Sequence, residues 1–147
     1  MSKPHHPRDI TDENLVGMAA KSRHRSELML LVETGRKYLG FFPAHNPRTI
    51  EYPWVLANLA GDLSGRRILD VGAGLNPMPF ALAERGANVT TVDSHPIVRD
   101  IQSRGQWNEW GFLEYHILNE RIHSVHIAYE DSAFPFQFDA IYCVSVI

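Results

Sequence analysis

Residues 66–93 read RRILDVGAGLNPMPFALAERGANVTTVD, and no other stretch limits the fold of this chain so closely. Arg67–Val71 has the aliphatic content of a buried strand, yet it carries Asp70 near its end. Gly72 and Gly74 follow at once, then Asn76 and Pro77 in the cap and first-turn positions of a helix. That helix is expected over Pro77–Arg85 and is stopped by Gly86. A second strand, Asn88–Val92, then delivers a second carboxylate, Asp93, twenty-three positions after the first. Strand, glycine turn, helix, strand is a βαβ unit, and such units build parallel sheets. Right-handed crossovers would place their helices on the two sheet faces.

The remainder extends the pattern. A helix is expected over Pro96–Arg104, ended by Gly105. QWNEWGFLEYHILNERIH reads as an aromatic-rich connection, partly helical. A third strand is expected over Ser124–Tyr129 and a fourth over Phe138–Ile147. The fold class is therefore α/β: a Rossmann-like parallel sheet of about four strands with helices at the amino terminus. Three segments result. Residues 1–10, with Pro4, Pro7 and the His5–His6 pair, read as a flexible arm; 11–65 form a helical segment; 66–147 form the sheet domain. In the helical segment Thr11 or Asp12 is the expected cap. Leu28, Leu31, Val32, Gly35 and Leu39 share one helical face, with Gly17, Ser22 and Gly35 weakening any single unbroken helix. GFFPAHNPRTI reads as a loop, and EYPWVLANLAGDL as a short helix with Trp54, Leu56, Leu59 and Leu63 available for burial. The fourth strand ends the sequence with no cap or polar tail, so it is expected either to have a neighbour in a longer domain or to pair with a second copy through its open edge.

Charge and composition exclude some classes. Residues 1–50 hold eight Lys/Arg against five Asp/Glu and the rest six against twelve, a scattered leader of about +3 rather than a dense basic patch, so no nucleic-acid partner is expected. No apolar run reaches about 18 residues, so no membrane span is expected, and MSKPHHPRDITDEN lacks the apolar core of a secretory signal. The lone Cys143, read as a small buried strand residue, fits a reducing cytoplasm and excludes an internal disulfide or a cysteine-rich zinc site.

In a parallel sheet, ligands collect beyond the carboxyl ends of the strands, where strand order switches. Gly72 and Gly74 permit a sharp turn and a close approach of a ligand to backbone. The helix end after Asn76 is expected to favour negative charge, such as a ligand carboxylate. An acid at the Asp93 position accepts hydrogen bonds from ribose hydroxyls in nucleotide-binding βαβ units. A dinucleotide fingerprint needs a third glycine where Pro77 stands, and Asp70 lies where a pyrophosphate would sit. Both disfavour an NAD-dependent oxidoreductase. A carboxylate at Asp70 suits a cationic group, and the ligand that joins adenosine, an amino acid and a sulfonium is S-adenosylmethionine.

ILDVGAGLNPMPFALAERGANVTTVD resembles the first two motifs of class I, Rossmann-like, S-adenosylmethionine-dependent methyltransferases, and HIAYEDSAFPFQFDAIYCVSVI resembles their next two. The likeness covers about residues 66–147. It implies that Asp70, Gly72, Ala73 and Gly74 hold the methionine end of the cofactor and that Asp93, with Ser94 beside it, holds the ribose. It also implies that Glu130, Asp131 and Ser132 lie by the adenine, and that Val144 and Ser145 lie near the sulfonium. Asn76 stands where the family often has a third glycine, and the 37 residues from Asp93 to Glu130 exceed the usual link. The family's sheet continues through three further strands, so this sequence is expected to be an incomplete domain.

Methyl transfer requires mainly alignment of the acceptor, here expected to be a small molecule or a saccharide-type metabolite. No residue qualifies as a catalytic base. His95 reads as a solvated loop residue or a polar contact, and His116, His123 and His126 lack metal-ligand spacing. Trp107, Trp110, Phe112 and Tyr115 are either a flap over the ligand or satellite packing, with packing favoured. A packing role is likewise favoured over a lid for Arg48, Glu51 and Tyr52. A different class remains open: a cofactor-binding module without turnover that dimerises through the fourth strand.

Overall fold

A computed structural model describes residues 10–42, 46–59, 61–99 and 111–144. Three helices come first: α1 (Asp12–Lys21), α2 (Arg25–Tyr38) and α3 (Asn46–Asn58). Thr11 caps α1, its hydroxyl oxygen accepting the Asn14 N–H at 3.2 Å, with Asp12 and Glu13 in the first turn and Lys21 in the last. The expected interruption falls at Ser22–His24, while Gly17 and Gly35 stay helical. Gly35 is required by packing: a Cβ there would stand 3.0 Å from the Phe41 carbonyl oxygen and 3.4 Å from the Phe42 ring. All five residues of the expected apolar face of α2 are buried.

The expected start of α3 is corrected. The helix begins at Asn46, inside the predicted loop, and stops at Asn58. Pro47 falls at its second residue, where a missing N–H costs nothing. Leu56 and Leu63 are buried, but Trp54 is 57% exposed.

The sheet domain follows as β1 (Arg67–Val71), α4 (Met78–Glu84), β2 (Asn88–Asp93), β3 (Ile97–Val98), β4 (Phe112–Leu113), β5 (Ile122–His126) and β6 (Ala140–Cys143). Four strands form one parallel sheet in the order β5-β2-β1-β6. Strand order therefore reverses between β1 and β6, the switch point of a doubly wound sheet. An acid fixes that junction: the Arg67 N–H donates to Asp139 Oδ2 at 2.8 Å while the Asp139 N–H donates to the Arg67 carbonyl at 2.7 Å. Helix α4 packs on β2 and β5, α2 on α4, and α3 on α2.

Three expectations change here. The helix proposed for Pro96–Arg104 is overturned where the chain is described. The β-branched pair Ile97–Val98 instead makes a short parallel ladder with Phe112–Leu113, started by the Phe112 N–H donating to the Pro96 carbonyl at 2.8 Å. The third strand starts two residues and ends three residues earlier than expected, and Tyr129–Asp131 forms a 3-10 turn instead. Cys143 is exposed rather than buried. On β6, an edge of the sheet, alternation buries Tyr142 and turns Ile141 and Cys143 outward.

Among the described residues no helix is long and apolar enough to cross a membrane.

Candidate functional site

Gly72 and Gly74 take φ values of 67° and 56°, the left-handed region, so the chain can leave β1 and turn at once into α4. The loop that results is tied down on every side. The N–H groups of Gly72 and Ala73 donate to the Val92 carbonyl at 2.8 and 3.3 Å. The Gly74 N–H donates to Asp93 Oδ2 at 2.8 Å, so the acid ending β2 holds the loop that follows β1. Asn76 folds its amide back onto the Ala73 carbonyl at 2.6 Å and accepts the Met78 N–H at 2.7 Å, which makes it the cap of α4.

The deepest tie comes from Tyr115, which is fully buried against Phe80 and Phe112, with ring centroids 5.2 and 6.2 Å away. Its hydroxyl donates to the Gly74 carbonyl at 3.0 Å and accepts the Asn76 N–H at 3.0 Å. Leu113 adds a backbone bond to the same Gly74 carbonyl at 3.1 Å. Segment 111–115 thus lies across the glycine loop, and a Cβ on Gly74 would stand 3.6 Å from the Gly111 carbonyl oxygen. Of the four aromatics in this connection, Phe112 and Tyr115 are packing residues; Trp107 and Trp110 lie outside the described residues.

Asp70 is 2% exposed. Its Oδ2 accepts the Tyr142 hydroxyl at 2.7 Å across the β1–β6 ladder and the Asn76 amide at 3.4 Å. Burial first, and the Asp70 charge second, hold the phenols of Tyr115 and Tyr142 well above the usual tyrosine range. Both therefore remain protonated donors, and their raised values make a prediction. Unfolded tyrosines ionise near pH 10 while these two keep their protons, so stability is fully present below about pH 10 and is lost above it. The loss is about 1.4 kcal/mol per pH unit for each tyrosine. Thermal melts from pH 8 to 11 should be flat and then fall, and Tyr142→Phe should roughly halve the fall.

The helix amino end does not behave as expected. Pro77 and Pro79 have no N–H to give, and the N–H groups of Asn76 and Met78 are taken by Tyr115 and by the cap. No free donors remain there for a ligand carboxylate or phosphate among these residues. Two carboxylates, Asp70 and Asp93, give the site an acceptor character suited to hydroxyls and positive charge rather than to a pyrophosphate. Pro79, two residues beyond Pro77, is the sequence signal for this.

The remaining predicted residues fall as follows. Asp93, only 5% exposed, stands at the end of β2 with Ser94 exposed beside it. Glu130 and Asp131 are exposed on the turn after β5, and Ser132 donates to the Tyr129 carbonyl at 2.6 Å. Val144 is buried beyond β6, and Ser145 lies outside the described residues. His95 is exposed but not isolated: its Nδ1 lies 2.6 Å from Asp93 Oδ1. Tyr52 is buried and Glu51 half-buried, while the side chain of Arg48 lies outside the description. A cleft of about 760 Å³ opens between the α1–α2 junction, α3 and the carboxyl end of β6, with Met18, His24, Ile50, Trp54 and Val144 on its walls. Among the described residues no three His, Cys, Asp or Glu side chains group to hold a metal ion.

A parallel sheet in this order, with a glycine loop after its first strand and an acid ending its second, is a Rossmann-like arrangement. Relatives agree. The chain is 31% identical over 84 residues to the mitochondrial ubiquinone biosynthesis O-methyltransferase of Schizosaccharomyces pombe, covering 57% of this chain and 28% of that protein. It is 29% identical over 113 residues to the ubiquinone biosynthesis O-methyltransferase of Dechloromonas aromatica, covering 73% and 42%. With the Bordetella avium protein of the same name it shares 43% over 53 residues, covering 36% and 22%. No family model matches the chain. The chain spans less than half the length of these relatives. The resemblance to class I methyltransferases seen in the motifs is thus borne out.

Proposed function

We propose that this chain carries the S-adenosylmethionine-binding part of a methyltransferase acting on a small molecule. The observation that carries the reading is the 2.8 Å bond from the Gly74 N–H to Asp93, which joins the glycine loop and the second-strand acid into one cradle at the strand ends. When bound, S-adenosylmethionine supplies a methyl carbon activated by its sulfonium. The chain's residues do the rest. Asp93 accepts from the ribose. Gly72, Ala73 and Gly74 let the ligand approach main chain. Glu130, Asp131 and Ser132 lie by the adenine, and Val144 borders the reacting end. Asp70, with its Tyr142 and Asn76 bonds, sets a negative potential beneath the loop that favours a cationic ligand. The cleft beside Val144 is of a size for a small acceptor.

Calorimetry with S-adenosylmethionine and its demethylated product tests the reading. Binding of both is expected, with no binding of NAD; the reverse preference would overturn it. Mass spectrometry on a panel of phenolic and saccharide acceptors then reports turnover and the acceptor class. The second reading is a module that binds the cofactor without turnover and pairs through β6, on which Ile141 is 56% exposed. Cofactor binding without product on any acceptor, together with a dimer in sedimentation, would select it. A cytoplasmic setting is proposed from the single cysteine, and cell fractionation tests it.

A further inference from the structure

We propose that the cleft between the α1–α2 junction and α3 takes a monocarboxylic acid with an apolar ring body, its carboxylate held by Lys21 and Arg23 and its ring by Trp54. Where the chain serves methyl transfer that acid is the acceptor, and this last step rests on the methyltransferase reading. The cations stand together because α1 stops there. Lys21 is its last residue, Ser22 turns extended at ψ 133°, and the Ser22 hydroxyl oxygen accepts the His24 N–H at 3.1 Å. Lys21, Arg23 and His24 are thereby brought to one wall of the cleft. Other cations of the helical segment are spent: Arg36 lies 3.5 Å from Asp12, and Lys37 pairs with Glu84. Among the described residues neither Lys21 nor Arg23 makes an ion pair, and His24 precedes α2 without a side-chain cap bond.

The facing wall is apolar. Ile50 and Trp54, four residues apart, share one stripe of α3 and both line the cleft. They are 72% and 57% exposed, while Tyr52 and Leu56 of the same helix are buried. A tryptophan ring left open beside an isoleucine is a contact surface without its contact. Val144 closes the cleft at the end of β6, the strand paired with β1. Charge sets the ligand class. Lys21 and Arg23 against Glu51, the acid among the described lining residues, leave a formal excess of one positive charge with histidine counted neutral. One carboxylate balances that excess, whereas a phosphate monoester brings nearly two negative charges. A neutral sugar would leave both cations unanswered. The planar arginine fork also matches a carboxylate through two parallel N–H donors.

Titration of the whole chain with benzoate, its neutral counterpart benzamide and phenyl phosphate is the test, followed by NMR at the Trp54 indole N–H. An ion pair at an exposed position is worth up to about fivefold in affinity, so two cations should favour benzoate over benzamide by about tenfold. Phenyl phosphate should bind no more tightly than benzoate. Lys21→Gln and Arg23→Gln should each weaken benzoate about three- to fivefold and leave benzamide unchanged. Trp54→Ala should weaken both compounds alike. Lys37→Gln, an equal loss of charge outside the cleft, should change neither. Thermal melts confirm that each variant folds. Equal binding of acid and amide, no binding of either, tighter binding of phenyl phosphate, or benzoate affinity unmoved by both glutamine variants would overturn the inference. Titration with S-adenosylmethionine separates it from the reading beneath it. Cofactor binding without acid preference removes the inference and keeps the methyltransferase reading. Acid preference without cofactor binding supports the carboxylate site and removes that reading, and with it the acceptor role.

Discussion

Replacing Tyr115 by alanine is expected to cost about 3–5 kcal/mol, the usual range for emptying an aromatic site in a packed core. That is a large part of the 5–15 kcal/mol typical of a whole domain, so the variant should stand near the edge of folding at 25 °C. The ring is fully buried between Phe80 and Phe112, on a core in which α4 offers little slack: Met78 to Ala83 are all buried. Tyr115→Phe isolates the hydroxyl. It keeps the packing but leaves the Asn76 N–H without the oxygen it donates to and removes a donor from the Gly74 carbonyl. Stranding a buried donor costs about 1–3 kcal/mol. Urea denaturation of both variants reads the two terms, and a Tyr115→Phe protein as stable as the wild type would show that the hydroxyl is not what fixes the loop.

Asp93→Ala is expected to weaken S-adenosylmethionine binding by about 1–3 kcal/mol, roughly five- to 150-fold, through loss of a charge-assisted acceptor. Two losses combine in this change. The ribose loses its acceptor, and the Gly74 N–H loses its partner, so the loop that backs the ligand is also released. The measurement is calorimetry on a variant whose far-ultraviolet circular dichroism matches the wild type. Undiminished affinity in a folded variant would show that the ribose lies elsewhere.

The part of this site that sequence reading recovers is the part built from neighbours along the chain. Gly72, Gly74, the Asn76 cap and Asp93 all announce themselves by local chemistry: a required positive φ, a side chain that caps, an acid at a strand end. Asp70 is legible as an acid near the end of β1, but its bonds to Tyr142 and Asn76 depend on strand pairing seventy-two positions away and on the loop's own folding. The role of Tyr115 was invisible for the same reason, since its two loop partners lie some forty positions upstream. The short β3–β4 ladder defeated periodicity because two β-branched residues are too few to show an alternation, and their pairing is decided by Pro96 meeting Phe112. The early start of α3 was hidden by prolines, which the eye takes as loop punctuation although Pro47 sits where a helix tolerates it.

The bonds that Leu113 and Tyr115 make to the glycine loop have a dynamic consequence. Each partner satisfies the other: the loop's Gly74 carbonyl accepts from segment 111–115, and the tyrosine hydroxyl bonds to the loop. The two therefore melt as one cooperative unit, and amide exchange at Leu113 and at Asn76 reports a single opening event. Any ligand that settles on the loop slows that event at both places, so a segment contributing no contact of its own would still register the ligand's arrival.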